Sequence, residues 1–352
     1  MIYRSKAPLR IGLAGGGTDV SPYCDIYGGS ILNATISLFA HSSIEVIDNE
    51  QIVLFAPDRS ELAIYDLNVD LPIDGKLDLL KGVYNRIRKD YYFEFNRAVG
   101  NKGLKITTYV DAPAGSGLGT SSTLIVAILG AFVEMLQLPM GEYDIAKYAY
   151  EIERIDLQLA GGKQDQYAAT FGGVNFMEFH SNNNVIVNPL RIKSEYLSEL
   201  ENNLVLFFTA TSRSSAKIIK EQQKNVNEKK QSSIEAMHHL KDQSRQMKEA
   251  LLKGDLINIG LVLDYGFKQK RLIAANISNP MIDSIYESAI KAGALGGKIS
   301  GAGGGGFMIF YCPGNSRYSV IEALSGFEGK IQPYQFVSEG LKTWAVGSKV
   351  SL

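Results

Sequence analysis

The chain has little cysteine, no excess of charge of either sign and no long apolar run, and each absence excludes a class of protein. Its two cysteines among 352 residues, Cys24 and Cys312, form no CxxC pair, which argues against a disulfide framework or a structural zinc site. With 36 basic and 37 acidic residues, no overall field attracts nucleic acid or an anionic membrane. A bilayer span needs a run of about 18 apolar residues, and none is present. Because the first residues also lack the apolar core of a signal peptide, we expect a cytoplasmic protein.

The remaining composition is that of an ordinary globular protein, with 45% hydrophobic and 21% charged residues. The length permits two domains or one large one. We predict an α+β fold of two domains, one over residues 1–195 and one over residues 196–352.

Hydrophobic periodicity predicts the main elements. Helices are expected over 121–138 and 141–159, and a single long charged helix over 214–253. Alternating apolar residues predict a hairpin formed by residues 174–179 and 185–187.

The most informative segment is the glycine-rich run of residues 113–122, which leads directly into the apolar helix predicted at 121. A glycine-rich turn that opens onto a helix N-terminus can direct several backbone N–H groups at one anion, with the helix dipole behind them. A flexible linker is the alternative, but linkers do not run straight into so apolar a helix. The predicted nucleotide-binding residues are Pro113, Gly115, Ser116, Gly117, Leu118, Gly119, Thr120, Ser121 and Ser122.

Neither common nucleotide-binding motif fits the chain. Gly301, Gly303 and Gly306 match G-x-G-x-x-G, but a predicted strand follows them where a dinucleotide-binding fold requires a helix. No segment matches the P-loop pattern, because Lys298 is followed by Ile299. A Rossmann oxidoreductase is therefore disfavoured.

Four charged residues near these glycines have both a structural and a chemical interpretation. Glu153 could pair with a neighbouring base on its helix or ligate Mg²⁺ together with the Ser121 hydroxyl. Asp165 could cap a helix or accept a proton from an alcohol. Arg10 by default belongs to an ion pair and Asp19 is by default a turn residue. The alternative is that both side chains converge on a polar substrate.

Three separated motifs together resemble the GHMP kinases, the family of galacto-, homoserine, mevalonate and phosphomevalonate kinases. They are Ala7-Pro8-Leu9-Arg10-Ile11 with Gly15-Gly16-Gly17-Thr18-Asp19, the 113–122 run, and Lys298-Ile299-Ser300-Gly301-Ala302-Gly303-Gly304-Gly305. The resemblance covers nearly the whole chain and implies two α+β lobes with the active site in the cleft between them.

The resemblance also implies roles for individual residues. Ser121 and Glu153 match the family's magnesium ligands, Asp165 its catalytic aspartate, and Arg10 a basic residue near the transferred phosphoryl group. Asp19 matches the carboxylate that binds sugar hydroxyls in galactokinases. One departure is that Gly16 and Gly17 replace the more usual Glu-His pair, which opens room beside the substrate.

Within the family, the triple glycine and the segments 161–166 and 211–213 most resemble the kinases of D-glycero-D-manno-heptose 7-phosphate, which phosphorylate its anomeric hydroxyl. The implied cofactors are ATP and Mg²⁺, and the implied partner is a sugar or sugar phosphate. An L-fucose kinase and a non-catalytic sugar sensor are the alternatives, and the oligomeric state stays open, a homodimer included. The predicted substrate-binding residues are Gly16, Gly17, Thr18, Asp19, Lys163, Arg213, Gly303 and Gly304. Lys163 and Arg213 are candidates for binding a substrate phosphate, and a surface charge is the alternative for each.

Overall fold

The computed structural model describes residues 1–67, 69–211 and 215–347. Within these ranges the chain forms twelve strands and twelve α-helices. The strands are β1 Ile2–Ala14, β2 Gly29–Ile47, β3 Gln51–Ala56, β4 Glu61–Asp66, β5 Gly103–Val110, β6 Val174–Phe179, β7 Val185–Pro189, β8 Leu204–Phe208, β9 Gly296–Ile299, β10 Phe307–Tyr311, β11 Lys330–Ile331 and β12 Lys342–Val346. The helices are α1 Tyr23–Tyr27, α2 Asp78–Asp90, α3 Tyr92–Val99, α4 Thr120–Leu136, α5 Glu142–Glu151, α6 Gln164–Phe171, α7 Ser194–Asn203, α8 Ser215–Asn227, α9 Gln231–Lys253, α10 Leu256–Lys270, α11 Pro280–Lys291 and α12 Ser316–Leu324.

The strands form two sheets. The larger has eight strands in the order β12-β1-β2-β5-β3-β4, with β6 also on β2 and β7 on β6. Strand β2 is long enough to pair twice on one side, because residues 29–34 pair with β6 and residues 40–47 pair with β5. The smaller sheet has the order β11-β8-β10-β9. The mixed architecture confirms the predicted α+β class.

Helix α4 is the central element of the larger core. It is apolar on all sides, as expected of a helix that is covered on all sides, and it packs against β1 and β2. Gly130 lets the C-terminal segment approach α4, because a Cβ atom there would lie 2.7 Å from a methyl of Leu341. This packing fixes the N-terminus of α4, at which the 113–122 run ends.

A second core joins the two sheets. Apolar residues of β1 and β2 pack with those of β8, β10, α9 and α10. Strand β12 returns from the C-terminal half to pair with β1 of the larger sheet. The division of the chain at residue 195 stays a prediction.

Two predicted helices differ from the observed ones. The long helix expected over 214–253 is two helices, α8 and α9, separated at Lys229, whose φ of 54° is incompatible with a continuing helix. The helix expected over 141–159 is α-helical only as far as Glu151. A single turn of π-helix, called the π-turn below, follows over Ile152–Asp156. The predicted hairpin is confirmed as β6 and β7.

Candidate active site

Three glycine-rich segments meet at one cleft. Gly17 of the 15–17 turn, Gly115, Gly117 and Gly119 of the 113–122 run, and Gly301 of the 301–306 loop all line it. These motifs are separated by up to about 290 residues in sequence, since they lie at 15–17 and 301–306. The fold therefore brings together the three motifs that carried the sequence prediction.

The 113–122 run needs its glycines for conformation and for close approach. Gly115, Gly117 and Gly119 have φ values of 73°, 80° and 79°, in the left-handed region that side chains avoid. A Cβ atom on Gly117 would also lie 2.6 Å from the carbonyl oxygen of Ser300. The run thus turns tightly against the 301–306 loop and delivers the N-terminus of α4 to the cleft, where N–H groups of the first helical turn are available to an anion.

The predicted nucleotide-binding residues are not all at the cleft. Gly115, Gly117, Gly119, Thr120, Ser121 and Ser122 line it. Leu118 is buried in the core that joins the two sheets, and Ser116 is buried as well. Pro113 is exposed and is not among the lining residues.

Arg10 and Asp165 form an ion pair at the cleft. The Nε and Nη2 atoms of Arg10 both lie 2.6 Å from Oδ1 of Asp165, and Nη1 donates to the carbonyl oxygen of Gly117 at 2.6 Å. Arg10 is buried on β1, whereas Asp165, in the first turn of α6, is partly exposed. The ion pair that is the default interpretation of Arg10 is present, with Asp165 as its partner. The alternative interpretation of Asp165 as a helix cap is wrong, because Lys163 occupies the N-cap position of α6 and no side chain caps that helix.

Glu153 lies in the π-turn and is only 3% exposed, which is unlike an ordinary charge on a helix surface. Its Oε2 atom accepts hydrogen bonds from Ser122 Oγ and Gln166 Nε2, both at 2.6 Å, and Oε1 lies 3.1 Å from Arg154 Nη1. Ser121, the predicted metal ligand, is exposed at the start of α4 and lines the same cleft. Irregular π-turns of this kind often occur at functional sites.

The residues around Glu153 include groups of the kind that bind magnesium. Among the described residues no group of three or more His, Cys, Asp and Glu could hold a metal ion, so a complete protein-made cage is lacking there. Magnesium binds through one or two carboxylates and completes its shell with water and phosphate oxygens. One buried carboxylate beside hydroxyls at a helix N-terminus fits that habit.

Asp19 is buried and held by backbone donors. Its Oδ2 atom accepts the N–H groups of Lys163 at 2.8 Å and of Gln164 at 3.0 Å. Burial raises the pKa of this carboxyl group, and the hydrogen bond from Gln164 opposes that rise. Gly162 is required beside it, because a Cβ atom there would lie 1.9 Å from Oδ2 of Asp19.

Several of the other predicted substrate-binding residues do not line the cleft. Thr18 is fully buried and its hydroxyl bonds to the carbonyl oxygens of Gly15 and Ser30, so it supports the turn. Gly303 and Gly304 are buried against Ile277, while Gly301 and Ala302 line the cleft instead. Arg213 lies outside the described residues.

The sequence prediction placed the ammonium group of Lys163 at the substrate, but in the structure it does not reach the cleft. The residue is 1% exposed, and Nζ lies 3.1 Å from Asp25 Oδ1 and 3.6 Å from Cys24 Sγ. Asp25 already neutralises this charge. What Lys163 contributes to the cleft is its backbone N–H, which holds Asp19.

Two lysines that the sequence analysis did not assign lie near the cleft. Lys270, the last residue of α10, lines it and donates a hydrogen bond to the carbonyl oxygen of Gly301. Lys298 of β9 is buried and donates to the carbonyl oxygen of Gly12 at 2.7 Å. The Lys268-Gln269-Lys270-Arg271 segment resembles any basic helix C-terminus, so the sequence carries no signal for Lys270.

The family models and the related proteins that match this chain all indicate one family, the GHMP kinases. The model described as GHMP kinases N terminal domain matches residues 78–173, and the model described as GHMP kinases C terminal matches residues 247–329. A D-glycero-alpha-D-manno-heptose 7-phosphate kinase of Campylobacter jejuni is 46% identical over 97% of this chain and 99% of its own length. The L-fucokinase/L-fucose-1-P guanylyltransferase of Bacteroides fragilis is 26% identical over 86% of this chain and 34% of its own length.

Solved structures agree with this. A D-glycero-D-manno-heptose 1-phosphate kinase from Bacteroides thetaiotaomicron aligns with a TM-score of 0.83 at 46% identity, covering 98% of this chain and 100% of that one. A Lactococcus lactis galactokinase in complex with galactose aligns with a TM-score of 0.76 at 18% identity, covering 97% and 95% of the two chains, which shows the fold alone. The two heptose kinases differ in the phosphate position in their names. No helix among the described residues has the length and apolarity needed to cross a bilayer.

Proposed function

Because the chain belongs to the GHMP kinases, phosphotransferases with an alcohol group as acceptor, we propose that it transfers the γ-phosphoryl group of ATP to the anomeric hydroxyl of D-glycero-D-manno-heptose 7-phosphate. The product is the 1,7-bisphosphate. The relative from Campylobacter jejuni, which matches this chain over nearly its whole length, supports this choice of acceptor.

The observation that carries the proposal is the Arg10–Asp165 pair beside the 113–122 run. Arg10 bonds both to Asp165 and to the carbonyl oxygen of Gly117, so one guanidinium links the acceptor-activating carboxylate to the phosphate-binding backbone. Catalysis of phosphoryl transfer consists mainly of positioning the reactants and stabilising the charge of the transferred group. Asp165 would position the acceptor hydroxyl, and Arg10 beside it would stabilise that charge.

In the proposed mechanism Asp165 accepts a hydrogen bond, and then the proton, from the attacking hydroxyl. An anomeric hydroxyl is more acidic than an ordinary alcohol, so orientation by Asp165 is a large part of its work. Arg10 offsets the negative charge of the phosphoryl group as it moves. The N-terminus of α4 and the backbone of the run bind the remaining phosphates.

Glu153 and Ser121 would hold Mg²⁺, which when bound supplies positive charge to the phosphate oxygens. Ser122 and Gln166 keep the Glu153 carboxylate in place through their hydrogen bonds to Oε2. On the acceptor side, Asp19 has one oxygen held by the backbone, which leaves Oδ1 to accept a sugar hydroxyl.

The test is ATP consumption by the purified protein against a panel of D-glycero-D-manno-heptose 7-phosphate, the free heptose, L-fucose, galactose and mevalonate. We expect the highest kcat/KM with the heptose phosphate, and a product that carries phosphate on C1 by ³¹P NMR. The highest kcat/KM with L-fucose or another free sugar would reject the proposed acceptor while leaving family membership intact.

A further inference from the structure

Lys270 is a buried cation that faces a ligand cavity. Its side chain is 4% exposed, yet the residue lines the cleft. The ammonium group carries three donors, and the recorded hydrogen bond to the carbonyl oxygen of Gly301 uses one of them. A buried ammonium with unused donors and no carboxylate costs free energy, and the cost is removed either by loss of the proton or by a bound anion.

Positive charge exceeds negative charge around Lys270. Arg10 is paired with Asp165, and one oxygen of Asp19 is held by backbone N–H groups. Among the described residues, no carboxylate oxygen lies within 4.0 Å of the ammonium of Lys270 or of Lys298. The two lysines therefore lack the carboxylate partner that Lys163 has in Asp25.

The pKa values of the two lysines are lowered, as expected for ammonium groups without a carboxylate partner. Burial and the Arg10 guanidinium lower the pKa of Lys270 to about 8, while Asp19 acts in the opposite direction. Burial and the charges of Lys270 and Arg10 lower the pKa of Lys298 as well. A bound anion would favour the charged form of both lysines.

Gly16 leaves the space in front of the two ammonium groups open. A Cβ atom on Gly16 would lie 3.6 Å from Nζ of Lys270 and 3.8 Å from Nζ of Lys298. Gly16 stands where the more usual family pattern has glutamate. A carboxylate at this position would occupy the space in front of the two ammonium groups and pair with them.

We propose that Lys270, supported by Lys298 behind it, binds a phosphate monoester carried by the acceptor and so determines that the acceptor is a sugar phosphate. This inference rests on the proposed kinase function and assigns its acceptor phosphate to named residues. The transferred phosphoryl group is the competing anion, but Arg10 already serves it, being bonded to Asp165 and Gly117. Lys270 bonds to Gly301, which packs against Gly117, and its ammonium also faces Gly16 and Asp19, where the acceptor binds in the proposed mechanism.

The test compares Lys270→Met with the wild type on heptose 7-phosphate and on the unphosphorylated heptose. Loss of a charge-assisted hydrogen bond should raise KM for the phosphorylated acceptor by about 10- to 100-fold. We expect kcat/KM for the free heptose and KM for ATP to stay within about twofold, since neither ligand uses Lys270 in this assignment. Lys268→Met is the matched control, because Lys268 is on the same helix, exposed and paired with Asp264.

A second variant, Gly16→Glu, keeps the lysine and supplies a competing carboxylate. Gly16 is not among the glycines with positive φ, and its nearest neighbour would be 3.6 Å from a Cβ atom, so the backbone tolerates a side chain. We expect a larger loss of kcat/KM on the phosphorylated acceptor than on the free heptose. If Lys270→Met does not fold, as judged by thermal unfolding, this variant decides the question.

The outcomes separate the two proposals. Equal losses on both acceptors would assign Lys270 to the transferred phosphoryl group and overturn the inference. Unchanged kinetics in both variants would overturn it too. Wild-type protein that phosphorylates no sugar at all would instead overturn the proposed function, independently of Lys270.

Discussion

The guanidinium of Arg10 contacts the carboxylate of Asp165 at 2.6 Å through two of its nitrogens, and its third nitrogen bonds to Gly117. These residues belong to three segments of the chain, β1, α6 and the 113–122 run. The geometry of the pair consequently depends on the whole fold, and either partner alone leaves a buried or partly buried charge uncompensated.

Replacing Asp165 with Asn should remove proton acceptance while keeping the size of the side chain. We expect kcat to fall by about two to four orders of magnitude, the usual contribution of a positioned general base. ATP binding, measured by calorimetry, should persist because the phosphate-binding backbone is unchanged.

Asp242→Asn is the control, since Asp242 is exposed on α9 and pairs with Arg245 on the same helix. Near-normal kcat of Asp165→Asn on the preferred acceptor would show that this carboxylate does not activate the hydroxyl.

Glu153→Gln tests the proposed magnesium site. Glutamine keeps an oxygen for the Ser122 hydroxyl but lacks the charge that Mg²⁺ requires. The half-saturating Mg²⁺ concentration should rise by about 10- to 100-fold, with partial recovery of rate at high Mg²⁺. Glu151→Gln is the matched control, because Glu151 is two residues away and pairs with Arg86. An unchanged Mg²⁺ dependence would exclude Glu153 as a ligand.

The sequence was a good guide where local chemistry dictates structure. The alternating glycines of the 113–122 run adopt the left-handed conformations that only glycine adopts readily, and the apolar helix after them is buried as its composition requires. Arg10 and Asp165 were found through separate motifs, and the structure places them in contact.

The sequence failed where the direction of a side chain decides its role. Lys268 and Lys270 are two residues apart on α10, about 200° around the helix, so one is exposed while the other is buried at the cleft. Nothing in the local sequence says which face points inward. The prediction for Lys163 was also wrong about the direction of the side chain. Its ion-pair partner, Asp25, is remote in sequence, so the local sequence does not reveal the contact.

Gly162→Ala should disturb Asp19 selectively. The added Cβ would lie 1.9 Å from Oδ2, so either the loop or the carboxylate must move. We expect a loss of about 1 to 3 kcal/mol in the free energy of unfolding and an increased KM for the acceptor. Gly326→Ala is the control, since its Cβ would meet nothing closer than 3.7 Å. An unaffected acceptor KM would contradict the prediction that Gly162 keeps Asp19 in a position to bind the sugar.

The pH dependence of acceptor binding should report Lys270. Its pKa of about 8 means that the ammonium is charged below pH 8 and loses its proton above it. A phosphate monoester, with a second pKa near 6, stays dianionic over this range, so the change belongs to the protein. KM for the phosphorylated acceptor should therefore rise between pH 7 and 9, approaching about tenfold per unit well above pH 8.

The same measurement on Lys270→Met isolates that group from its charged neighbours. Arg10, Asp19 and Lys298 face Lys270 from β1, from the turn after it and from β9, and all three remain in the variant. If Lys270 titrates in the wild type, the variant should show a high KM that is nearly independent of pH over this range. A variant whose KM still rises through pH 8 would assign the titration to Lys298 or Asp19, because the ammonium group of residue 270 is no longer there.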